Sequence, residues 1–349
     1  MDLKLSNLDR PFLLAGPCSA ETEEQVLEIA RDLKKSKAVA MRAGIWKPRT
    51  KPGSFEGVGE EGLRWLKKAK EETGIPTATE VANPKHVELA LKNDVDILWI
   101  GARTTVSPFN VQEIAEALKG IENPVLIKNP VNPDLALWMG AIERFKKQNI
   151  QNLGALHRGF SAYEKSKYRN IPEWQIPLDL KSEFPDLPLL LDPSHIAGNR
   201  QLIQPLCQTA LDLNYDGFMI ETHPKPDEAW SDAKQQITPE ILNEIMANLN
   251  FKTNTSSNEE FGENLALMRD QISDIDYKIL ESLGKRMEIA TKIGDFKRAE
   301  NVSIFQPEHW KEILQEMLKK GSQQVLSSGF VKKFYKAIHQ ESIQHQQKE

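Results

Sequence analysis

Cysteine is nearly absent: Cys18 and Cys207 are the two in 349 residues. That scarcity excludes a disulfide-stapled scaffold and fits a reducing, cytoplasmic compartment. Long apolar runs are missing too. The longest near the start is Phe12-Leu13-Leu14-Ala15, too short for a secretory signal or a membrane span, and no later run reaches membrane length. There is no basic excess either. The 45 Lys+Arg stand against 50 Asp+Glu, a formal net charge of −5, which argues against a nucleic-acid partner. Low-complexity tracts are lacking. What remains is a chain that is 40% hydrophobic, enough for a sizeable core. Its length suits two domains, or one large barrel with a small appendage.

Short apolar or β-branched runs recur at 11–15, 38–42, 76–81, 97–101, 124–128, 153–157, 187–191 and 217–221. Amphipathic stretches at 23–33, 60–72, 84–91, 111–118 and 135–147 lie between them. Strand-length runs alternating with helix-length patterns indicate βα units and a parallel sheet. Eight units in roughly 250 residues predict a (β/α)8 TIM barrel. A doubly wound open sheet is the alternative, but it carries a glycine fingerprint after its first strand; here the first run leads into Gly16-Pro17-Cys18-Ser19. The polar stretch 250–258 is rich in turn formers and reads as a linker. The expected division is therefore a barrel over 1–250, a linker over 251–258 and an all-α tail over 259–349. In the tail Leu265, Met268, Ile272, Ile275, Ile279, Leu283, Met287, Ile293 and Phe296 fall mostly three or four apart. That spacing predicts one helix over 259–299, about 60 Å long. So small a tail cannot cover it, so a second copy of the chain is expected against it. Two further helices are expected near 307–320 and 330–346.

Active sites of such barrels lie where the strands end. The strand ends offer Cys18, Arg42 with Lys47 and Arg49, Glu80, Arg103, Lys128, His157 with Arg158, His195, and Glu221 with His223; Asp232 follows in the last loop. All are expected at one end of the barrel. The six cations Arg42, Lys47, Arg49, Arg103, Lys128 and Arg158 suit more than one phosphate or carboxylate, which arginine binds bidentately. Cys18, His195, Glu221 and Asp232 supply sulfur, nitrogen and oxygen donors, a mixture suited to manganese, iron, cobalt or zinc rather than magnesium or calcium. Cys207, inside a helical stretch, reads as a small buried hydrophobe. In the tail, Arg286 and Lys297 are eleven apart and share a helix face, whereas Arg269 points about 100° away and suits a neighbouring chain's pocket. Ser342 and Gln346 also share a face.

Seven segments carry a resemblance: Gly16-Pro17-Cys18-Ser19, Lys47-Pro48-Arg49-Thr50, Gly101-Ala102-Arg103-Thr104, Leu126-Ile127-Lys128, His157-Arg158-Gly159, Asp192-Pro193-Ser194-His195 and Ser231-Asp232-Ala233-Lys234-Gln235-Gln236. Over residues 10–240 the chain resembles the short form of 3-deoxy-D-arabino-heptulosonate 7-phosphate (DAHP) synthase. The resemblance implies condensation of phosphoenolpyruvate with erythrose 4-phosphate at the entry to the shikimate pathway. It implies that Arg103 and Arg158 hold the phosphoenolpyruvate phosphate and Arg42 and Lys128 its carboxylate, with Lys47 close to the reacting carbons. Arg49 and Thr50 would grip the sugar phosphate. A divalent transition metal, manganese favoured, would sit on Cys18, His195, Glu221 and Asp232 as a Lewis acid. The related 3-deoxy-D-manno-octulosonate 8-phosphate synthase shares the barrel but reads Lys-Ala-Asn where this chain has Lys47-Pro48-Arg49. A Schiff-base aldolase using Lys128 is a further alternative, but Lys128 among arginines reads better as an anion ligand.

Leu265-Ala266-Leu267-Met268-Arg269, Gly284-Lys285-Arg286, Ile293-Gly294-Asp295-Phe296-Lys297 and Ile338-His339-Gln340-Glu341-Ser342 are similar to motifs of the all-helical chorismate mutase, over 260–347. This implies an interlocked homodimer with Arg269 reaching across. Arg269 and Arg286 would bind the carboxylates of chorismate, and Ser342 would be a further substrate-binding residue. Lys297 and Gln346 would polarise the breaking ether bond, without a covalent step. One segment departs. Where the family commonly has Asp-x-x-Arg-Glu, this chain has Gln306-Pro307-Glu308-His309-Trp310. The alternative is a tail that only senses chorismate or prephenate.

Overall fold

The computed structural model describes residues 3–48, 53, 55–163, 166–252 and 258–347. Arg49, Thr50 and much of the expected linker lie outside them. Eight strands follow one another: β1 (Phe12–Gly16), β2 (Ala38–Arg42), β3 (Thr77–Val81), β4 (Ile97–Ile100), β5 (Val125–Lys128), β6 (Leu153–His157), β7 (Leu189–Leu191) and β8 (Gly217–Glu221). Each pairs in parallel with the next, and β1 also pairs with β8, Phe12 beside Gly217 and Gly16 beside Glu221. The closed barrel excludes the open doubly wound sheet. Between and after the strands lie α1 (Glu23–Lys34), α2 (Glu60–Thr73), α3 (Pro84–Lys92), α4 (Ala102–Thr105), α5 (Pro108–Ala117), α6 (Leu135–Lys147), α7 (Gln175–Glu183), α8 (Pro193–Ala197), α9 (Ile203–Asp212) and α10 (Pro239–Asn248). Several begin at a side-chain cap. Thr22, Asn83, Asp134 and Thr238 each accept a backbone N–H of the first turn, replacing a bond the helix cannot make for itself.

Strand side chains alternate between two faces. One set fills the lumen: Phe12, Leu14, Ala40, Ala78, Ile97, Trp99, Leu126, Leu156, Leu190 and Met219, with Leu5 entering where the strands begin. The other set packs against the helices. The alternation dictates what comes next at the far end. Two residues beyond Ala40, Ala78, Leu126, Leu156, Leu190 and Met219 stand Arg42, Glu80, Lys128, Arg158, Asp192 and Glu221. An apolar lumen is thus topped by a charged layer.

His157 has the opposite parity and overturns the expectation that every polar strand-end residue reaches that layer. It is buried between barrel wall and helices. Its Nε2 lies 2.7 Å from the Pro172 carbonyl and its Nδ1 2.9 Å from the Tyr215 hydroxyl, with Trp174 edge-on. Burial pushes its pKa down to about 3. The folded barrel therefore refuses a proton that the unfolded chain accepts near 6.5. Stability should fall as pH drops through that window, by roughly 1.4 kcal/mol per pH unit from this group. In His157→Gln, chemical denaturation between pH 6 and 4 should show a shallower pH dependence of the barrel transition by about that slope. An unchanged slope would mean that His157 does not govern acid sensitivity.

The chain divides into two compact units, Met1–Asn254 and Thr255–Glu349. In the second, α11 (Glu259–Ala299), α12 (Pro307–Gln323) and α13 (Ser328–Gln347) follow in order. α13 packs on both others. Gly294 allows its close approach to α11, because a Cβ there would lie 2.6 Å from the Gln346 backbone. The first half of α11 stays open to solvent, with Leu267 58%, Met268 53%, Ile272 58%, Ile275 56% and Ile279 45% exposed. Among the described residues no helix is long and apolar enough to cross a membrane.

Candidate active site at the C-terminal end of the barrel

A cavity of about 370 Å³ opens over the charged layer, bounded by Cys18, Arg42, Lys47, Arg103, Lys128, Arg158, His195, Glu221 and Asp232 among others. One side of it gathers metal-type donors. The Cys18 sulfur and one carboxylate oxygen each of Glu221 and Asp232 all lie within 4.8 Å of one another. Cys18 Sγ is 3.4 Å from Asp232 Oδ2. His195 stands at the rim of this group, its Nε2 3.7 Å from Glu221 Oε1. Its Nδ1 is held 2.9 Å from Asp192 Oδ1, so Nε2 is the nitrogen presented to the cavity. Burial raises the Cys18 thiol to about 12, with the Glu221 charge adding to the rise. The two carboxyls behave oppositely. Burial works against their charge, but the surrounding basic groups win and both pKa values fall: His195, Arg42 and Lys47 for Glu221, Arg169 and His195 for Asp232. Two anionic carboxylates, a buried thiol and an oriented imidazole fit a soft-to-borderline divalent ion.

The other side gathers cations. Arg42 and Lys128 flank the Trp99 ring, 4.8 Å and 5.7 Å from its centroid. Each is paired below, Arg42 with Glu221 at 3.2 Å and Lys128 with Asp192 at 2.9 Å. Lys47 Nζ donates to the Cys18 carbonyl at 3.0 Å and to Ser231 Oγ at 3.2 Å, and touches Cys18 Sγ at 2.6 Å. Arg158 bonds to neutral partners, Asn170 Oδ1 at 2.8 Å and the Gly159 carbonyl at 3.3 Å. Burial brings its pKa down to about 10. Arg103 borders the same cavity from α4.

In the tail, Arg286 of α11 donates to Ser342 of α13, and the Ser342 hydroxyl also reaches the Ile338 carbonyl at 2.7 Å. Gln346 Oε1 is buried without a hydrogen-bond partner. Lys297 shares the α11 face with Arg286 but is drawn to the Ile304 carbonyl, 2.7 Å away. Arg269 is exposed. At the departing segment Trp310 stacks on His339, centroids 4.0 Å apart.

Residues 4–256 match the model of the DAHP synthetase I family, and residues 268–347 that of chorismate mutase type II. The chain belongs to the DAHP synthetase I family. It joins a DAHP synthase barrel to a chorismate mutase region. The phospho-2-dehydro-3-deoxyheptonate aldolase of Thermotoga maritima is 32% identical over 238 residues, 67% of either chain. A 2-dehydro-3-deoxyphosphooctonate aldolase of Legionella pneumophila is 29% identical over 265 residues, 70% of this chain and 92% of that protein. The crystal structure of the Thermotoga enzyme superposes with a TM-score of 0.63 at 28% identity, covering 70% of each chain. A truncated form from the same organism gives 0.59 at 27%, covering 68% of this chain and 84% of the other.

Two residues at or directly beneath the cavity of this DAHP synthetase I barrel escape the strand-end reading. Arg169 lies in the loop after β6, far past the strand, and its NH1 reaches Asp232 Oδ1 at 3.0 Å and Gln235 Oε1 at 2.7 Å. Nothing in its local sequence marks it, because only loop closure brings it there. Asp192 did have a signal: it continues the lumen parity of β7, two residues beyond Leu190.

Proposed function

We propose that the barrel condenses phosphoenolpyruvate with erythrose 4-phosphate and releases phosphate, and that the tail rearranges chorismate to prephenate. The convergence of a three-donor metal-type cluster and a cationic wall on one cavity carries the first half. Arg103 and Arg158 bind the phosphate of phosphoenolpyruvate. Arg42 and Lys128 orient its carboxylate over Trp99, and Lys47, at the cluster's edge, lies nearest the reacting carbons. Cys18, His195, Glu221 and Asp232 would hold a divalent transition ion, manganese favoured, which when bound supplies Lewis acidity toward the sugar aldehyde. Arg49 and Thr50 take the sugar phosphate. Assaying phosphate release with each aldose phosphate tests this reading. The similarity to octulosonate aldolases makes arabinose 5-phosphate the competing substrate, and a clear preference for it would replace erythrose 4-phosphate.

In the tail, Arg286, Ser342, Lys297 and Gln346 bind chorismate, and Arg269 serves the site of a second copy. The exposed stripe of α11 supports a homodimer through this region. With two free cysteines, the whole is a cytoplasmic enzyme. Joining the two activities also gives the pathway's entry enzyme a detector of a later product: prephenate or chorismate in the helical pocket inhibits the barrel. Such coupling is typically 1–3 kcal/mol, about 5- to 150-fold. Deleting residues 251–349 should leave a synthase that no longer responds to prephenate. A truncated enzyme inhibited as before would put the sensor on the barrel.

A further inference from the structure

Lys47 lies in the connection between β2 and α2, beyond the strand that aims Arg42, yet its ammonium returns to Cys18. Part of the reason is in the backbone. Ala20 N–H donates to the Gly44 carbonyl at 2.9 Å, Lys47 N–H to Glu56 at 2.8 Å and Gly59 N–H to Ile45 at 2.9 Å. These bonds pinch the connection into a neck. Two glycines permit it. At Gly57, φ +96°, a Cβ would fall 2.2 Å from the Ile45 carbonyl; at Gly44 it would fall 2.7 Å from that of Cys18. The neck sets the path of the chain from one side. The side chain before Lys47 is held from the other. The Trp46 ring lies flat on the His86 imidazole, centroids 3.8 Å apart and planes 8° from parallel.

His86 is itself well anchored. It sits in the first turn of α3, where its N–H is accepted by Asn83 Oδ1 at 2.9 Å. Its Nδ1 faces the Ala82 N–H at 3.4 Å, so the ring proton belongs on Nε2. Burial keeps the imidazole neutral by lowering its pKa, against a smaller opposing effect of Glu80. A neutral ring stacks as an aromatic face. Trp46 and Glu80 border both the main cavity and a second one of about 230 Å³ that contains His86. The stack therefore forms part of the wall between them.

We propose that His86 is a positioning residue for the barrel reaction: its ring, flat against Trp46, is the platform that sets Lys47 at the reacting end of the cavity. The inference rests on the synthase reading of the barrel. His86 borders the smaller cavity and is not among the residues bordering the main one, so its effect belongs on turnover rather than on phosphoenolpyruvate affinity.

The test uses the full-length enzyme with kcat and the two KM values measured separately. His86→Ala should lower kcat about 3- to 10-fold, the range of one stacked aromatic pair, with KM for phosphoenolpyruvate unmoved. His86→Phe keeps a flat ring and should restore most of the loss. His86→Asn keeps an acceptor for Ala82 but no ring, and should resemble alanine. Trp46→Leu should cost about as much as His86→Ala, and the double variant little more, because both remove one contact. Rescue by asparagine but not phenylalanine would assign His86 to capping the loop instead, and overturn the proposal. Equal loss in all three His86 variants with an altered pH profile would make it a proton-transfer group and also overturn it. So would three variants indistinguishable from wild type. A wild-type enzyme that releases no phosphate with any aldose phosphate would instead sink the synthase reading.

Discussion

Cys18→Ala is expected to weaken binding of a divalent transition ion by more than about 100-fold and to take phosphate release close to background. Losing a mere outer partner of a metal ligand typically costs 10- to 100-fold, and Cys18 is the sole sulfur in the cluster with Glu221 and Asp232. Without it the remaining donors are oxygen and imidazole, which favour harder ions. In the metal-free enzyme burial holds Cys18 as a thiol, at about 12. An ion must therefore displace a proton, so affinity should weaken as pH falls. Competition against a coloured chelator measures the affinity directly. Mutase activity in the same sample is the control, because chelation and Cys18→Ala should both leave it intact. An alanine variant that binds zinc, the softer ion, as tightly as wild type would remove Cys18 from the site.

Asp192→Asn is expected to produce two separable losses. Asp192 is fully buried and bonded to His195 on one side and Lys128 on the other. Burial opposes its charge, yet His195 and Lys128 hold its pKa well below the usual carboxylate range. Neutralising it leaves Lys128, whose side chain is only 6% exposed, as an unpaired buried cation. Breaking such a pair from one side costs about 3–5 kcal/mol. It also releases the His195 ring, which should cost 10- to 100-fold in metal affinity. Adding Lys128→Met should recover much of the stability but none of the activity, since the cation proposed to orient the carboxylate is then gone as well. Denaturation midpoints and metal titrations of the three variants would show it. A single variant as stable as wild type would mean that Lys128 finds another partner.

The barrel and most of its site were readable because both follow a period of two. Once the lumen set Ala40, Leu126, Leu156 and Met219 is fixed, Arg42, Lys128, Arg158 and Glu221 must face the cavity. The same count would have turned His157 away, since it is odd where Arg158 is even. Arg169 could not be found so, because it arrives through a loop whose path depends on contacts made elsewhere, including the bond from its N–H to the Ile196 carbonyl. In the tail, helical spacing put Arg286 and Lys297 on one face. It could not say that Arg286 meets Ser342 while Lys297 turns to Ile304. Those partners depend on how three helices pack, and spacing along one helix carries no information about that.

The pairing of Phe12 with Gly217 also orders events during synthesis. The first strand cannot complete its sheet until the eighth has left the ribosome, some 200 residues later, about 10–40 s at ordinary elongation rates. Until then β1 and the growing end of the sheet both present unpaired backbone, the kind of edge that invites pairing with another nascent chain. The apolar stripe of α11 emerges only after the eighth strand has been made. The two hazards thus come in turn: the strands that seal the barrel's edges are all made before the chain exposes this second apolar surface.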